Sequence, residues 1–318
     1  MKTVFIVNPV SGKSDASTTL IPKLIQQSEA FGLDYAIERT YAPKYATKIA
    51  QTYASQGQPV RLIACGGDGT LNEVFAGAWE YSNAQVGCIP CGSGNDFIRN
   101  FSDSFLFHDL QAQLNGTLQT IDLIQTNHGI AIAICSVGLD AEVANGIPKF
   151  RRLPFCGGEM AYQLSIVQQV AGRIGRDLTV ITDKAVFRDN FLLAAICNGT
   201  TYGGGFCAAP NACLNDGLLD VILIKKVSRF RIAQVIGNYK NGTHIQNGVI
   251  RKDLQDIAQI IRTNQLQIYP ANKKEVVVNI DGECSKITNL KVEVLKNAAK
   301  FILPQGVQML NQAMVSAN

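Results

Sequence analysis

The two halves of the chain follow different periodicities, and that contrast limits the fold more than any other feature. From residue 1 to about 125, short β-branched runs at 3–7, 34–39, 60–65 and 86–90 alternate with helical patterns at 18–31, 44–54 and 71–79. Such alternation predicts parallel strands joined by crossover helices. The joints agree: Gly32 follows the first helix and Gly57-Gln58-Pro59 the second, where helices stop. Beyond about residue 125, strand patterns dominate, at 130–137, 178–182, 191–197, 219–224, 266–269, 275–280 and 290–295, with helical interruptions near 161–171 and 228–239. That half is predicted to be a mainly antiparallel β-sandwich.

The expected organisation is therefore an α/β, Rossmann-like domain over residues 1–125 and a β-sandwich over 126–304. A short C-terminal helix over about 305–318 is expected to pack back on the first domain. A chain of 318 residues, at ~150 per domain, suits two domains, and 47% hydrophobic content with mean hydropathy +0.08 supplies a core for each. No low-complexity linker or internal repeat separates them, so a shared interface with a cleft is expected. The net charge of +4 is too mild for a nucleic-acid protein. Nine cysteines, an odd number, lie mostly in apolar runs, which points to a reducing cytoplasm. The apolar stretch at 4–7 ends at Asn8-Pro9, too short for a signal peptide. No apolar run approaches the ~20 residues that cross a bilayer, since even 129–139 stops at Asp140. A soluble protein, or at most a peripheral one, is expected.

Gly66-Gly67-Asp68-Gly69-Thr70 directly follows one strand and opens a helix. Ligands of open α/β sheets sit at the carboxyl ends of strands, where glycine amides and a helix N-terminus favour phosphate. Asp68 would repel a bare phosphate, so the chemistry indicated is a Mg²⁺-nucleotide; the plain alternative is a tight turn with a helix cap. Gly92-Ser93-Gly94-Asn95-Asp96-Phe97 follows another strand in the same way, and Asn8-Pro9-Val10-Ser11-Gly12-Lys13 closes the first. The last is no Walker loop, because Val7 stands where that motif needs glycine.

In this order the motifs resemble the bacterial soluble diacylglycerol kinase family, whose catalytic domain is similar to that of sphingosine and ceramide kinases. The resemblance continues through Gly138-Leu139-Asp140-Ala141-Glu142-Val143, Asn198-Gly199, Gly203-Gly204-Gly205-Phe206, Ala209-Pro210, Asn215-Asp216-Gly217-Leu218-Leu219-Asp220 and Asp281-Gly282-Glu283. Ser93 departs from it, many relatives having threonine there, but keeps the hydroxyl. The resemblance implies a nucleotide domain, a β-sandwich and ATP between them. It implies ATP contacts at Asn8, Thr40, Gly66, Gly67, Asp68, Gly69, Thr70, Leu71, Asn72 and Ser93, with Asp68 near metal and phosphates. It further implies a structural Mg²⁺ on Asp216 with the carbonyls of Cys213 and Leu218, and Glu283 as proton acceptor.

Other signals carry less. Cys88-Ile89-Pro90-Cys91 has zinc or redox spacing but no second pair, and the three histidines, His108, His128 and His244, do not complete it. No Gly-x-Ser-x-Gly elbow supports a hydrolase. Asp122, after the apolar run 118–121, is a weaker candidate for a place in the cleft. The basic and apolar run 149–155 reads as a membrane-contact element or a solvated loop.

The expected activity is an ATP- and Mg²⁺-dependent lipid kinase that phosphorylates the hydroxyl of diacylglycerol or a related lipid to give a phospholipid such as phosphatidic acid. The rivals are an NAD kinase-like enzyme and a catalytically silent nucleotide or lipid binder on the same fold. Expected partners are a lipid substrate at the membrane surface and a second copy of the chain in a homodimer, with no nucleic acid; the expected location is cytoplasmic with transient membrane association.

Overall fold

The computed structural model describes residues 1–12, 15–151 and 158–312. They form two compact units: Met1–Leu123 with the chain from Lys296 onward, and Ile124–Leu295. The elements of the first stretch are β1 (Lys2–Val7), α1 (Ala16–Ala30), β2 (Tyr35–Arg39), α2 (Tyr45–Ala54), β3 (Val60–Gly66), α3 (Asp68–Ala78), β4 (Ala84–Pro90), α4 (Leu110–Leu114) and β5 (Thr117–Thr126). There follow β6 (Gly129–Ala131), β7 (Ile134–Gly138), α5 (Leu139–Arg151), α6 (Gly158–Ala171), β8 (Arg176–Thr182), β9 (Val186–Cys197), β10 (Leu219–Lys225) and α7 (Arg229–Lys240). The chain ends with β11 (Ile245–Gln246), β12 (Val249–Ile250), β13 (Ala258–Thr263), β14 (Gln265–Pro270), β15 (Val276–Ile280), β16 (Glu283–Ile287) and β17 (Leu290–Leu303).

In the first unit β2, β1, β3 and β4 lie side by side, all parallel, and Phe301 at the end of β17 pairs with Val86 of β4. Residues 3–7 of β1 are all buried, as are five consecutive residues at the end of both β3 and β4. A strand covered on both faces needs such a continuous apolar run, and each fully buried Val, Leu or Ile contributes ~1.5–3 kcal/mol. Phe75, Phe97, Phe101 and Phe107 surround Phe301, with ring centroids 5.3–5.9 Å away. Phe97 directly follows the second glycine loop, so this aromatic cluster seats that loop on the core.

The expected C-terminal helix does not form over 305–312, and residues 313–318 lie outside the described residues. Gly306 takes a left-handed φ of +92° behind Pro304, which stops any helix there. The backbone pairs with residues 100–102 instead: Ser102 N–H donates to Gln308, Leu310 N–H donates to Asn100, and Phe101 bridges Met309. Val307 and Met309 are buried in the first unit all the same. The chain re-enters that unit at Lys296, in the middle of β17 rather than after Pro304.

The second unit is a β-sandwich with helices laid on it. Its strands run β16, β15, β7, β9, β8, β14, β17, with β10 beside β9 and β13 beside β10, and every one of these pairs is antiparallel. The first half of β9 pairs with β8, and its second half lies between β7 and β10. Alternation sorts its side chains: Ala194 and Ile196 join the main core, whereas Leu193, Ala195 and Cys197 face a second cluster with Tyr239 of α7.

Candidate active site

Four strand ends build the glycine-rich site of the first unit. After β1, the Asn8 amide donates to the Thr70 hydroxyl at 2.9 Å, and Asn8 N–H donates to the Cys65 carbonyl oxygen at the end of β3. Thr40, buried, donates its N–H to Val7 at 2.9 Å, so the ends of β1 and β2 are held together. At the end of β3, Gly66 accepts the Cys91 N–H at 2.8 Å, and Gly67 opens α3 with no side-chain cap. The first-turn N–H groups of α3 therefore have no intrahelical partner and form a site suited to an anion.

Glycine is needed where the two loops meet. A Cβ on Gly92 would stand 2.6 Å from the Gly67 Cα, closer than any real contact. Asn95 closes the second loop on itself, accepting Gly92 N–H at 3.0 Å and donating to its carbonyl oxygen at 2.9 Å. The Asp68 carboxylate then accepts the N–H groups of Asp96 and Phe97, each at 3.0 Å. Ser93 is exposed on this loop, while Leu71 and Asn72 are buried in α3. Residues Asn8, Thr40, Gly66 to Asn72 and Ser93 thus belong to one constellation at the strand ends, in which Asp68 fastens the second loop. Glu73 serves α2 instead. Its carboxylate accepts the N–H groups of Lys44 and Ala46 and caps that helix, whose own start carries no capping side chain.

Cys88 is fully buried, and burial followed by the Asp68 charge pushes its thiol well above the ordinary range. Burial also raises Cys91, so neither thiol is primed for redox or metal chemistry. Asp122 is a buried residue of β5 that accepts Asn297 N–H at 2.6 Å where β17 bends through a φ of +52°. Of the basic run 149–155, residues 152–155 lie outside the described residues.

The remaining candidates belong to the second unit. Ile280 pairs directly with Glu283, so Asp281 and Gly282 make a two-residue hairpin turn, and both have positive φ, 45° and 96°. This is the type I′ geometry that an Asp-Gly pair between alternating strands encodes. The Asp281 carboxylate accepts the N–H groups of Ile132, Ala133 and Ile134, which locks the hairpin onto the segment leading into β7. Glu283 begins β16 with its side chain exposed. Its neighbour Cys284 has its thiol pushed up to about 12, first by burial and then by the charges of Glu283, Asp140 and Glu142. A group of carboxylates thus gathers on this side of the unit. Asp140 itself, in the first turn of α5, accepts the Tyr202 hydroxyl at 3.0 Å, and Tyr202 in turn meets the Tyr239 hydroxyl at 3.0 Å. Burial raises the Asp140 carboxyl to about 6, although the hydrogen bonds it accepts work the other way. These tyrosine partners are distant in sequence, and only the Asp140 motif signalled the place.

Asp216 accepts Leu218 N–H at 2.9 Å on one oxygen and is paired with Arg262 through the other. Arg262 also holds the buried Asp220 at 2.9 Å. A cation on Asp216 would have to displace a guanidinium already placed there, so the donor set as arranged does not fit a metal. Among the described residues no group of three or more His, Cys, Asp or Glu side chains could hold a metal ion.

An α/β unit whose strands β1 to β4 are parallel and carry glycine loops at their ends, together with an antiparallel sandwich, has the two-domain fold of a diacylglycerol kinase. A solved diacylglycerol kinase from Bacillus anthracis matches it with a TM-score of 0.68 at 20% identity, over 95% of this chain and 96% of that one. Residues 2–126 match the diacylglycerol kinase catalytic domain, and residues 133–303 match the YegS C-terminal NAD kinase beta sandwich-like domain. The chain belongs to the bacterial diacylglycerol kinase and YegS-like lipid kinase family, a family of phosphotransferases. A probable lipid kinase YegS-like from Shewanella frigidimarina is 29% identical over 259 residues, 80% of this chain and 79% of that protein. The Bacillus subtilis diacylglycerol kinase is 27% identical over 281 residues, 87% and 88% of the two. These matches do not favour the NAD kinase reading.

Proposed function

We propose that the protein transfers the γ-phosphoryl group of Mg²⁺-ATP to the hydroxyl of diacylglycerol or a closely related lipid, giving ADP and a phosphatidic acid-type product. The observation that carries this reading is the clamp of Asp68 on the second glycine loop, which sets two amide-rich turns beside one helix N-terminus in a chain of this family. In this reading Asn8, Thr40, Gly66 to Asn72 and Ser93 contact the nucleotide, and the loop amides hold phosphate oxygens as charge develops. The lipid oxygen bonds to the γ-phosphorus, the bond to the ADP oxygen breaks, and the hydroxyl proton passes to the Glu283 carboxylate. A base so placed contributes ~10²–10⁴-fold. Asp68 acts chiefly by keeping the loops in register.

The working location is the cytoplasm, with transient visits to the membrane that holds the substrate. No helix among the described residues is long and apolar enough to cross a membrane. Labelled ATP and Mg²⁺ offered with diacylglycerol, monoacylglycerol, sphingosine, undecaprenol, phosphatidylglycerol and NAD test the reading. Label on diacylglycerol supports it, and label on NAD alone overturns it.

A further inference from the structure

Helix α6 turns outward a face unusual for a helix in water. Its inner side is set by Ala161 and Ser165, whose hydroxyl donates to the Val143 carbonyl oxygen at 2.7 Å. The outward side exposes Met160, Leu164 and Val167, by 53%, 38% and 66%, at i, i+4 and i+7, so they form one stripe, flanked by the exposed, uncharged Gln163 and Gln168. From Met160 to Ala171 the helix holds no charged residue at all. Solvated helix faces ordinarily carry charges there, and an uncharged apolar stripe marks an interaction surface.

The stripe runs into a basic rim. Arg229 donates to the carbonyl oxygens of Val170, Ala171 and Gly172, at 2.8, 3.2 and 2.7 Å, and so fastens the start of α7 to the end of α6. The next residue, Phe230, is 74% exposed. Arg173, Lys226 and Arg229 share one open concavity of about 460 Å³ with Ile174, Val227 and Ser228, and no acidic side chain lines it. Glu142, in the helix packed on α6, is already paired with Arg176 at 2.7 Å.

We infer that the α6 stripe, Phe230 and the Arg173, Lys226 and Arg229 rim are the face by which this protein docks on an anionic lipid bilayer. Apolar side chains that enter the acyl boundary beside cations that meet lipid phosphates are the two elements of interfacial binding. Charge decides the occupant: a two-fold copy would set the same basic patch against itself, whereas a bilayer presents phosphates. The inference deepens the lipid-kinase reading and rests on it for its purpose, because a kinase of bilayer lipids must meet the surface that holds them.

Flotation with vesicles tests the inference, using phosphatidylcholine alone and phosphatidylcholine with phosphatidylglycerol in equal parts. The wild type should float with the mixed vesicles, less with phosphatidylcholine alone, and less again at high salt. Val167→Ser with Phe230→Ser, and separately Arg173→Gln with Lys226→Gln, should each lower partitioning onto mixed vesicles roughly tenfold or more at an unchanged melting temperature. Wild-type flotation by either double variant overturns the inference. A wild-type dimer that the serine pair splits also overturns it, the face then being an interface between copies. Turnover of a short-chain diacylglycerol below its micellar concentration should stay at the wild-type level in both variants. Failure of the wild type to phosphorylate any lipid would remove the kinase reading, while flotation would still report on the face itself.

Discussion

Asp68 holds the backbone N–H of Phe97 on one carboxylate oxygen at 3.0 Å, tying the helix after β3 to the loop after β4. The other oxygen takes Asp96 N–H. From sequence, Asp68→Ala is expected to cripple turnover and spare the fold. The structure changes the second half of that expectation. Alanine would strand two N–H groups on buried residues, at ~1–3 kcal/mol each. Asp68→Ala should therefore lower the melting temperature as well as turnover, and calorimetry beside a kinase assay reads both. An unchanged melting temperature would show that the clamp is not needed for the fold.

Glu283 and Asp281, two residues apart, should separate cleanly. Glu283 is exposed at the start of β16, so Glu283→Gln should leave the melting temperature alone and reduce turnover by about two orders of magnitude. Asp281→Ala removes the acceptor of three N–H groups on buried residues and should destabilise by about 3 kcal/mol. Urea unfolding and steady-state kinetics on both variants measure the contrast; near-normal turnover in the glutamine variant would remove Glu283 from the proton-transfer role.

Arg262 supplies the positive charge that two carboxylates share. In Arg262→Gln the buried Asp220 loses its partner and still faces Asp216, at a cost of about 1–2 kcal/mol after discounting for the half-exposed guanidinium. Burial already raises the Asp220 carboxyl against the pull of Arg262. Its loss raises that carboxyl further, so the deficit should shrink as the pH falls and Asp220 takes a proton. With the guanidinium gone, Mg²⁺ should raise the melting temperature of the variant more than that of the wild type. An equal response in both would show that Arg262 does not compete with a cation for Asp216.

Asp140 gives a pH dependence of opposite sign to an ordinary ion-paired carboxylate. Its carboxyl is raised to about 6, so the folded state holds the proton more tightly than the unfolded chain does. Its contribution is complete below about pH 4 and is lost as the pH rises through about 6, a change of the order of 2–3 kcal/mol. Asp140→Asn cannot lose a proton. The stability of the variant relative to wild type should therefore improve between about pH 4 and pH 7, as read from urea midpoints at the two pH values. A difference independent of pH would mean that Asp140 is not raised.

The order of elements in the first unit and the place of its glycine loops were legible because they depend on neighbours in sequence. Continuous apolar runs marked β1, β3 and β4, and glycines at the strand ends marked the turns. The Asp-Gly pair at 281–282 is likewise a local signal, since such a pair between alternating strands encodes the two-residue hairpin that it forms. What the linear pattern could not carry were bonds between residues far apart. The Asp68 clamp on Phe97, the Asp140, Tyr202 and Tyr239 chain, and the Arg262 bridge from Asp216 to Asp220 each join separate elements. Residues 305–312 show the same limit from the other side. Their apolar spacing suggested a helix, but their backbone pairs with residues 100–102 instead, and Gly306 takes the left-handed turn beside that pairing. Local periodicity expresses the conformational preference of a short segment, whereas partners for backbone polar groups and buried charges are chosen only when distant strands close together.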